Sequence, residues 1–306
     1  MNLHHVINSQ QFSLPLLTEL FARTHQMEKI VARGGTKDYA SKVMATLFYK
    51  PSTRTRFSFE SAMYRLGGTV LSTESAKEFS SEIHGEQLED TIRIISTYCD
   101  VLVLRHHQEG GAERAAAVST VPIINAGDGT GGQHPTQALL DLYTIYDECK
   151  TIDGISVALI GALDSGRTAR SLAYLLSKFE RVRLYFVAPD EMQIKKDILD
   201  HLDEHDVWYH CTSNPAEALP HVDVVYQTRI DRERLRQSSI SSDQYNLNSV
   251  VLASMKPNSI IMHPLPRSVE IDSDVDRDPR AAYFRQARNG LFVRMALLTM
   301  VFDSDL

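Results

Sequence analysis

Short apolar runs of strand length alternate with longer amphipathic segments along most of this chain. The apolar runs include KVMATLFY (42–49), DVLVLR (100–105), GISVALIG (154–161) and VDVVYQT (222–228). The segments that follow such runs, for example RFSFESAMYRLGG and RTARSLAYLLSKF, have helical periodicity. Strands that alternate with helices predict parallel sheets covered on both faces. We therefore expect an α/β fold with two doubly wound domains, each a parallel sheet flanked by helices.

The length of 306 residues exceeds the usual size of one domain, so the sequence predicts two. We expect the first domain over 1–133, a bridging helix over 134–150 and the second domain over 151–284. The bridging helix opens with proline, as the first-turn preference for that residue predicts. The final helix, about 285–306, is expected to pack back on the first domain. Ligands of parallel sheets bind beyond the carboxyl ends of the strands, so we place the active site in the cleft between the domains.

Charge and composition exclude several classes of function. A net charge of −7 argues against a general nucleic-acid binder, because a phosphate backbone selects for a basic surface. No apolar run approaches the roughly 18 residues that cross a membrane. The start, MNLHHVINSQQFS, lacks the basic leader and apolar core of a signal peptide. The cysteines lie far apart without a CxxC pair, which predicts a reduced chain in the cytoplasm.

The stretch FYKPSTRTRFSFESA (48–62) places hydroxyls and arginines between a strand and a helix. Ser52 or Thr53 would cap this helix, and its free N–H groups and positive dipole end would face whatever lies beyond the strand. Such a helix end binds phosphate readily, and Arg54 adds a bidentate donor. The absence of a GxxxxGK run argues against a nucleotide P-loop here. The sequence predicts an anion site, with plain helix capping as the alternative.

Three further polar clusters follow predicted strands. LRHHQEGG places Arg105 at a strand end, and the glycine-rich NAGDGTGGQHPTQ brings His134 and Gln137 into the first turn of a helix. MHPLPR places two prolines after a strand, which fixes a rigid loop whose carbonyls cannot all be satisfied internally. Each cluster alone is a weak signal. Together they predict a phosphate-like site with an imidazole and an amide beside it.

The motifs STRTR, HPTQALLDLYT, GRTARSL and HPLPR occur in an order and at spacings that resemble the aspartate/ornithine carbamoyltransferase family. LRHHQEGGAERAA and VPIINAGDG point to its aspartate branch, and the resemblance covers essentially the whole chain. It implies carbamoyl transfer from carbamoyl phosphate to L-aspartate, a step toward pyrimidines, without a metal or organic cofactor. It also implies a homotrimer with shared active sites and leaves regulatory or pathway-partner subunits open.

The resemblance assigns roles around carbamoyl phosphate. Hydrogen bonds from His134 and Thr55 would stabilise the charge that develops on the carbamoyl oxygen, and Arg105 would reach both phosphate and carbonyl. The complete set implied for this substrate is Ser52, Thr53, Arg54, Thr55, Ser80, Arg105, His134, Gln137 and the backbone carbonyls of Pro264 and Leu265. A loop of the neighbouring subunit would supply Ser80 and a further catalytic residue, His84.

The resemblance also implies that Arg167 and Arg229 clamp the two carboxylates of aspartate, a geometry that suits arginine. Asp231 lies where the family has an amide that helps to bind the acceptor. Three other positions depart from the family pattern: Lys50 and Ala162 replace acids, and His84 replaces a lysine. An unperturbed histidine has a pKa of about 6.5 and is mostly neutral at pH 7.

These departures lie around acceptor binding and domain closure, and they leave three interpretations open. The protein carbamoylates aspartate, or it uses another amino acceptor, or it is a weakly active or inactive subunit. Lys50 and Asp231 could simply pair with each other.

His201 and His205 lie four residues apart on a predicted helix, a spacing that can bind zinc. They stand in KKDILDHLDEHD, a highly charged segment without a third nearby ligand. A solvated helix face is the favoured interpretation, and we expect no metal.

Overall fold

The computed structural model describes residues 3–76, 85–129, 132–230 and 242–304. The chain divides into two compact units, one formed by Met1–Leu139 with Arg288–Leu306 and the other by Leu140–Ala287. The domain limits predicted from the sequence stay a prediction. Within the described residues, none of the helices combines the length and apolar character needed to cross a bilayer.

The described helices alternate with strands along the chain. They are α1 Leu14–Ala32, α2 Thr53–Arg65, α3 Leu88–Ile95, α4 Gly111–Val118, α5 Pro135–Cys149, α6 Arg167–Leu176, α7 Lys196–Glu204, α8 Ser249–Leu252 and α9 Tyr283–Asp303. The division between the units falls inside α5 and α9.

The first unit contains a parallel sheet in the order β2-β1-β3-β4, formed by β1 Val43–Phe48, β2 Thr69–Glu74, β3 Val101–Arg105 and β4 Ile123–Asn125. Phe48 pairs with Arg105, so β1 and β3 end level with each other. The chain leaves β1 toward β2 on one side and returns to β3 on the other. The carboxyl ends of β1 and β3 therefore form a topological switch point, where ligands of such sheets bind.

Both faces of the central strands in the first sheet are buried. On one face, side chains of β1 and β3 such as Leu47 and Leu104 join an apolar cluster with Leu88 of α3 and Ala112 of α4. On the opposite face, Val103 is also fully buried. Because successive side chains of a strand point to opposite faces, this pattern requires cover on both sides, as predicted from the sequence.

The second unit contains a parallel sheet in the order β7-β6-β5-β8-β9, formed by β5 Ser156–Ile160, β6 Arg183–Val187, β7 Trp208–Thr212, β8 Val224–Gln227 and β9 Ile260–Met262. From β5 the chain passes to β6 and β7 on one side and then returns to β8 on the other. The switch point of this sheet lies at the carboxyl ends of β5 and β8.

The segment EMQIKKDILDHLDEH (191–205) is predicted from its sequence to be one helix, but the helix in the structure is shorter. The structure has a 3-10 turn at Asp190–Met192 and an extended segment before α7. Gln193 explains the interruption, because its Nε2 donates to the carbonyl oxygens of Phe186 at 3.3 Å, Ala188 at 3.1 Å and Thr212 at 3.1 Å. These bonds tie the segment to the ends of β6 and β7.

Candidate functional site

The turn between β1 and α2 is fixed by a carboxylate of β2. Ser52 occupies the N-cap position of α2, but its side chain makes no capping hydrogen bond. Its backbone N–H donates to Glu74 Oε1 at 3.0 Å, and Arg56 Nη2 lies 3.1 Å from Glu74 Oε2. Because the Ser52 hydroxyl does not cap the helix, the geometry favours an anion site over plain capping. The predicted residue Thr53 begins α2 and is exposed.

The arginines and the threonine predicted for this site differ in burial. Arg54 is exposed in the first turn of α2, whereas Thr55 is buried. Arg105 ends β3, and its Nη1 donates to the carbonyl oxygen of Ala126 at 3.1 Å, just beyond β4. This bond places the guanidinium at the carboxyl edge of the first sheet, where β1 also ends.

The glycine-rich loop before α5 is organised by a buried aspartate. Asp128 Oδ1 accepts from the backbone N–H of Gln133 at 2.9 Å, and the Asp128 N–H donates to the Gln133 carbonyl at 3.2 Å. Gly129 is required, because a Cβ there would lie 2.3 Å from the backbone nitrogen of Glu109. The loop delivers His134, which is 5% exposed and directly precedes Pro135 at the start of α5.

Gln137 follows His134 in the first turn of α5, with its N–H 3.1 Å from the His134 carbonyl oxygen. The first unit therefore brings Ser52–Thr55, Arg105, His134 and Gln137 onto segments that leave the carboxyl edge of one sheet. This arrangement can bind an anion and offer hydrogen-bond donors beside it.

The histidine after Arg105 is part of the scaffold. His106 is buried, and its Nδ1 accepts from the backbone N–H of Gln108 at 3.2 Å. Burial, and then the neighbouring His107, lower the pKa of His106 to about 4. The ring is therefore neutral at pH 7 and fixes the turn after β3.

Several predicted positions lie outside the described residues, namely Ser80, His84 and Asp231. Their roles, including a pair between Lys50 and Asp231, stay predictions. Lys50 itself is described and is exposed.

The second unit contains a cavity of about 390 Å³ at the switch point of its sheet. Its lining comes from the segments that follow β5, β8 and β9: Ala162, Ser165, Gly166, Thr168, Thr228, Arg229, Ile230, His263, Pro264, Leu265 and Pro266. Gly166 is the N-cap residue of α6, so the positive end of that helix borders the cavity. Such a cavity suits a ligand that carries carboxylates.

A glycine allows the ends of β5 and β8 to approach each other. The Thr228 N–H donates to the Ile160 carbonyl at 2.7 Å, and the Ala162 N–H donates to the Arg229 carbonyl at 3.0 Å. Gly161 lies between these two bonds, and a Cβ on it would be 2.2 Å from Thr228 Oγ1. Ala162 therefore lines the cavity at a position that a carboxylate occupies in the family pattern.

The predicted acceptor arginines belong to the same region of the second unit. Arg229 is exposed, and its Nε donates to the Pro266 carbonyl at 3.0 Å. Arg167 is the first residue of α6 and is half-buried, between the lining residues Gly166 and Thr168 in sequence. The structure thus brings Arg229 together with the HPLPR loop, which the sequence analysis treated as a separate cluster.

Sequence reasoning assigned no role to His263 or Glu270, which support the HPLPR loop. His263 Nε2 lies 2.9 Å from Glu270 Oε1, and both side chains are buried. Burial lowers the pKa of His263. Burial by itself would raise the pKa of Glu270, but hydrogen bonds from His263 and from backbone N–H groups outweigh it and lower that pKa to about 2. The pair is therefore a neutral imidazole and a carboxylate at pH 7.

A third potential metal ligand lies beside His201 of α7 and its C-cap residue His205, contrary to the sequence-based expectation. His201, Glu204 and His205 each offer one ligand atom, and these atoms lie within 4.8 Å of one another. Helical spacing explains this, because residues three and four positions apart share a face. One nitrogen of each ring is hydrogen-bonded inside the protein, to Ser177 Oγ at 2.9 Å and to the His201 carbonyl oxygen at 2.8 Å.

Two family models match the chain over most of its length. The carbamoyl-P binding domain of aspartate/ornithine carbamoyltransferase matches residues 4–147, and the Asp/Orn binding domain matches residues 153–301. A relative from Arabidopsis thaliana, named aspartate carbamoyltransferase, is 53% identical over 301 residues, 97% of this chain and 77% of the relative. The chain belongs to the aspartate/ornithine carbamoyltransferase family. The resemblance stated from the sequence motifs is confirmed.

Solved structures of this carbamoyltransferase family confirm the fold. The catalytic subunit of M. jannaschii aspartate transcarbamoylase is 44% identical, with a TM-score of 0.92 and 98% of each chain covered. Aspartate transcarbamoylase from Trypanosoma cruzi, in complex with carbamoyl phosphate and aspartate, is 40% identical with a TM-score of 0.93, over 97% of this chain and 95% of that one.

The cytoplasmic location predicted from the sequence is wrong by this comparison. The carbamoyltransferase relatives from Arabidopsis thaliana, Oryza sativa and Pisum sativum, at 50–53% identity, are all named chloroplastic.

Proposed function

We propose that this protein transfers the carbamoyl group of carbamoyl phosphate to the amino group of L-aspartate and releases phosphate. One observation carries the proposal: in a chain of this family, α2, Arg105 and His134 leave the carboxyl edge of one parallel sheet. Relatives at 53% identity are named aspartate carbamoyltransferase, which supports aspartate as the acceptor. The product, N-carbamoyl-L-aspartate, is a precursor of pyrimidines in this family.

The residues of the first unit would bind carbamoyl phosphate. The N-terminus of α2, with Ser52, Thr53, Arg54 and Thr55, would hold the phosphate through N–H groups, hydroxyls and a guanidinium. Arg105 would contact both the phosphate and the carbonyl oxygen. A doubly charged phosphate favours this site, because the helix dipole and the arginines supply positive potential there.

The chemical step needs a stabilised oxyanion and an oriented amide. When the amine attacks the carbamoyl carbon, negative charge develops on the carbonyl oxygen, and His134 and Thr55 would donate hydrogen bonds to it. Gln137 and the carbonyl oxygens of Pro264 and Leu265 would hold the amide. Phosphate then leaves, and much of the acceleration would come from holding the reactants in position.

The cavity of the second unit supports the acceptor role of its residues. Arg229 lines it, and Arg167 begins the helix whose N-terminus borders it. Two guanidinium groups match the two carboxylates of aspartate in charge and geometry. Asp231, which lies outside the described residues, would complete the acceptor site.

The assembly stays a proposal as well. We propose a homotrimer in which a neighbouring subunit supplies Ser80 and His84 to each active site. Its mass in sedimentation analysis should be about three times the 34.5 kDa of one chain. Mixing two inactive variants, Arg54→Ala and His84→Ala, should restore part of the activity, because some mixed sites would contain both native residues. A monomer of full activity would exclude this assembly.

The decisive experiment measures phosphate release from carbamoyl phosphate with a panel of amino acids between about pH 6 and 9. Aspartate should give the fastest release. If another amino acid were clearly faster, the departures at Ala162 and Asp231 would mark a changed acceptor. If no acceptor gave turnover although carbamoyl phosphate bound, the chain would be an inactive subunit.

His84 has its own test in the same assay. A histidine in place of lysine is charged mainly below its pKa of about 6.5, so activity should rise toward acidic pH. The variant His84→Lys should flatten this trend. An identical profile in the variant would remove His84 from the catalytic set.

A further inference from the structure

We propose that His263 and Glu270 are positioning residues, which hold the segment 264–266 in the shape that binds the carbamoyl amide. The inference rests on the function proposed above, in which the carbonyl oxygens of Pro264 and Leu265 contact that amide. Neither His263 nor Glu270 needs to touch the substrate for this role.

Hydrogen bonds fix His263 in a single neutral tautomer. The backbone N–H of Leu265 donates to Nδ1 at 2.8 Å, so this nitrogen must carry a lone pair. The hydrogen of the ring is therefore on Nε2, which donates to Glu270 Oε1 at 2.9 Å. His263 is 1% exposed, which keeps water from competing for either bond.

Glu270 anchors the imidazole to the turn that follows the segment. Its second oxygen, Oε2, accepts from the backbone N–H groups of Ser268 and Val269 at 3.2 and 3.1 Å, and from Ser268 Oγ at 3.1 Å. The carboxylate is 3% exposed. One buried charge thus joins His263 to residues on the far side of the loop.

The backbone before the segment is held by a second buried chain of hydrogen bonds. The His263 N–H donates to Gln286 Oε1 at 2.8 Å, and Gln286 Nε2 donates to Asp141 Oδ1 at 2.6 Å. The Tyr226 hydroxyl donates to the other oxygen of Asp141 at 2.7 Å. The loop is therefore anchored on both sides by groups with almost no exposure.

The segment 264–266 can form few hydrogen bonds from its own backbone N–H groups. Pro264 and Pro266 have no N–H, so Leu265 carries its single backbone donor, and His263 accepts it. Leu265 has φ +51°, a left-handed conformation that is unfavourable for a residue with a Cβ. Such a conformation persists only where the surroundings enforce it. The bond to His263 holds the backbone of Leu265, and the bond from Arg229 Nε holds the Pro266 carbonyl at the end of the segment.

Two substitutions of His263 test the two hydrogen bonds of its imidazole ring one at a time. In His263→Asn, the side-chain oxygen takes the place of Nδ1 and can still accept from Leu265. In His263→Gln, the amide takes the place of Nε2 and can still donate to Glu270, but the Leu265 N–H loses its acceptor. A positioning role predicts that the glutamine variant is impaired more than the asparagine variant.

The readout is the affinity of the full chain for two stable ligands, measured by calorimetry. Phosphonoacetamide carries the phosphonate and the amide, whereas inorganic phosphate occupies the anion site alone. In His263→Gln, the Kd of phosphonoacetamide should rise about 10-fold, and in His263→Asn about 3-fold or less. The Kd of phosphate should stay within about twofold in both variants. A general loss of structure would weaken both ligands together.

Glu270→Gln provides a second test should the His263 variants fail to fold. It preserves size and an acceptor for Nε2–H but cannot accept from all of its present donors, so phosphonoacetamide should bind several-fold more weakly while phosphate does not. The matched control is His210→Gln, since His210 of β7 and Glu217 of the following 3-10 turn form an exposed pair at 3.3 Å. Both affinities should be unchanged in that control.

The measurements distinguish a failure of the proposed function from a failure of the positioning role. A native chain that binds phosphonoacetamide no more tightly than phosphate would refute the proposed recognition of the amide, and with it the proposed function. A native preference for phosphonoacetamide that survives unchanged in His263→Gln and Glu270→Gln would refute the positioning role alone.

Discussion

Replacing Gly161 with alanine should destabilise the second unit and impair the proposed acceptor site together. Gly161 has φ +132°, and an added Cβ would lie 2.2 Å from Thr228 Oγ1 and 2.9 Å from the Arg229 carbonyl oxygen. Thr228 cannot easily turn away, because its Oγ1 donates to the Ile160 carbonyl at 2.9 Å. The new methyl group must therefore push apart the ends of β5 and β8.

Gly154 in the same unit supplies the matched control. It has φ +77°, but a Cβ there would meet no atom within 4 Å. Gly154→Ala thus carries only the backbone term, about 1–2 kcal/mol. Gly161→Ala adds overpacking of about 1–3 kcal/mol. We therefore expect the free energy of unfolding to fall by about 1–2 kcal/mol in Gly154→Ala and by about 2–5 kcal/mol in Gly161→Ala.

The single tryptophan of the chain, Trp208, lies in β7, so its fluorescence in a urea titration reports on the second unit. The titration should show the larger midpoint shift for Gly161→Ala. Phosphate-release kinetics should show its KM for aspartate raised about 10-fold, since Arg229 is displaced, while Gly154→Ala retains the native KM. Equal midpoint shifts and an unchanged KM would refute the argument that the close approach of the ends of β5 and β8 at Gly161 shapes the acceptor site.

The remaining predictions concern the anion site and two pKa values. Arg54→Ala should weaken inorganic phosphate binding about 100-fold in calorimetry, whereas the exposed Arg33→Ala should not; equal effects would contradict the anion site. The pKa of Glu270 is lowered from 4.5 to about 2, so its contribution to stability is present above pH 4.5 and is lost as the pH falls toward 2. Glu270→Gln should therefore make the acid unfolding seen by Trp208 fluorescence shallower, and an unchanged slope would argue against this. The pKa of His106 is lowered from 6.5 to about 4, so the unfolded chain binds a proton first and stability falls as the pH drops from 6.5 to 4. His106→Asn should flatten that decline in calorimetric scans, and a variant as acid-sensitive as the native chain would exclude His106 as its source.

The strands that the sequence predicted are those whose residues are almost all buried, including the edge strands β4 and β9. β1, β3, β5 and β8 read as continuous apolar runs because helices cover both sides of a parallel sheet. The edge strands β2 and β7 were not predicted, since most of their residues are exposed or half-buried. The burial of a strand, rather than its position at the centre or edge of a sheet, therefore decides whether its sequence contains a continuous apolar run.

In the site as well, residues that form a local sequence motif were predicted, whereas supporting residues from distant segments were not. STRTR, HPTQ and HPLPR were recognisable because each is a local turn that joins a strand to a helix or loop. The supporting roles of Glu74, Asp128, His263 and Glu270 were not, because each acts on a segment that only the folded chain brings near. His263 is the first residue of the HPLPR motif, but the residues next to it in sequence do not indicate Glu270 as its hydrogen-bond partner.

By itself the sequence determined two parallel sheets, the strand ends that carry polar loops, and the family. These follow from apolar periodicity and from motifs of a few residues, which are local properties of the chain. The tertiary structure decided which of several chemically alike groups are held in ion pairs within the fold and which are exposed. Arg54 and Arg56 stand in one motif, but Arg56 is paired with Glu60 and Glu74, whereas Arg54 is exposed. Two residues of a helix that are 200° apart around its axis meet different neighbours. For Arg56 these are Glu60, one turn along α2, and Glu74 of β2, which only the folded chain brings near.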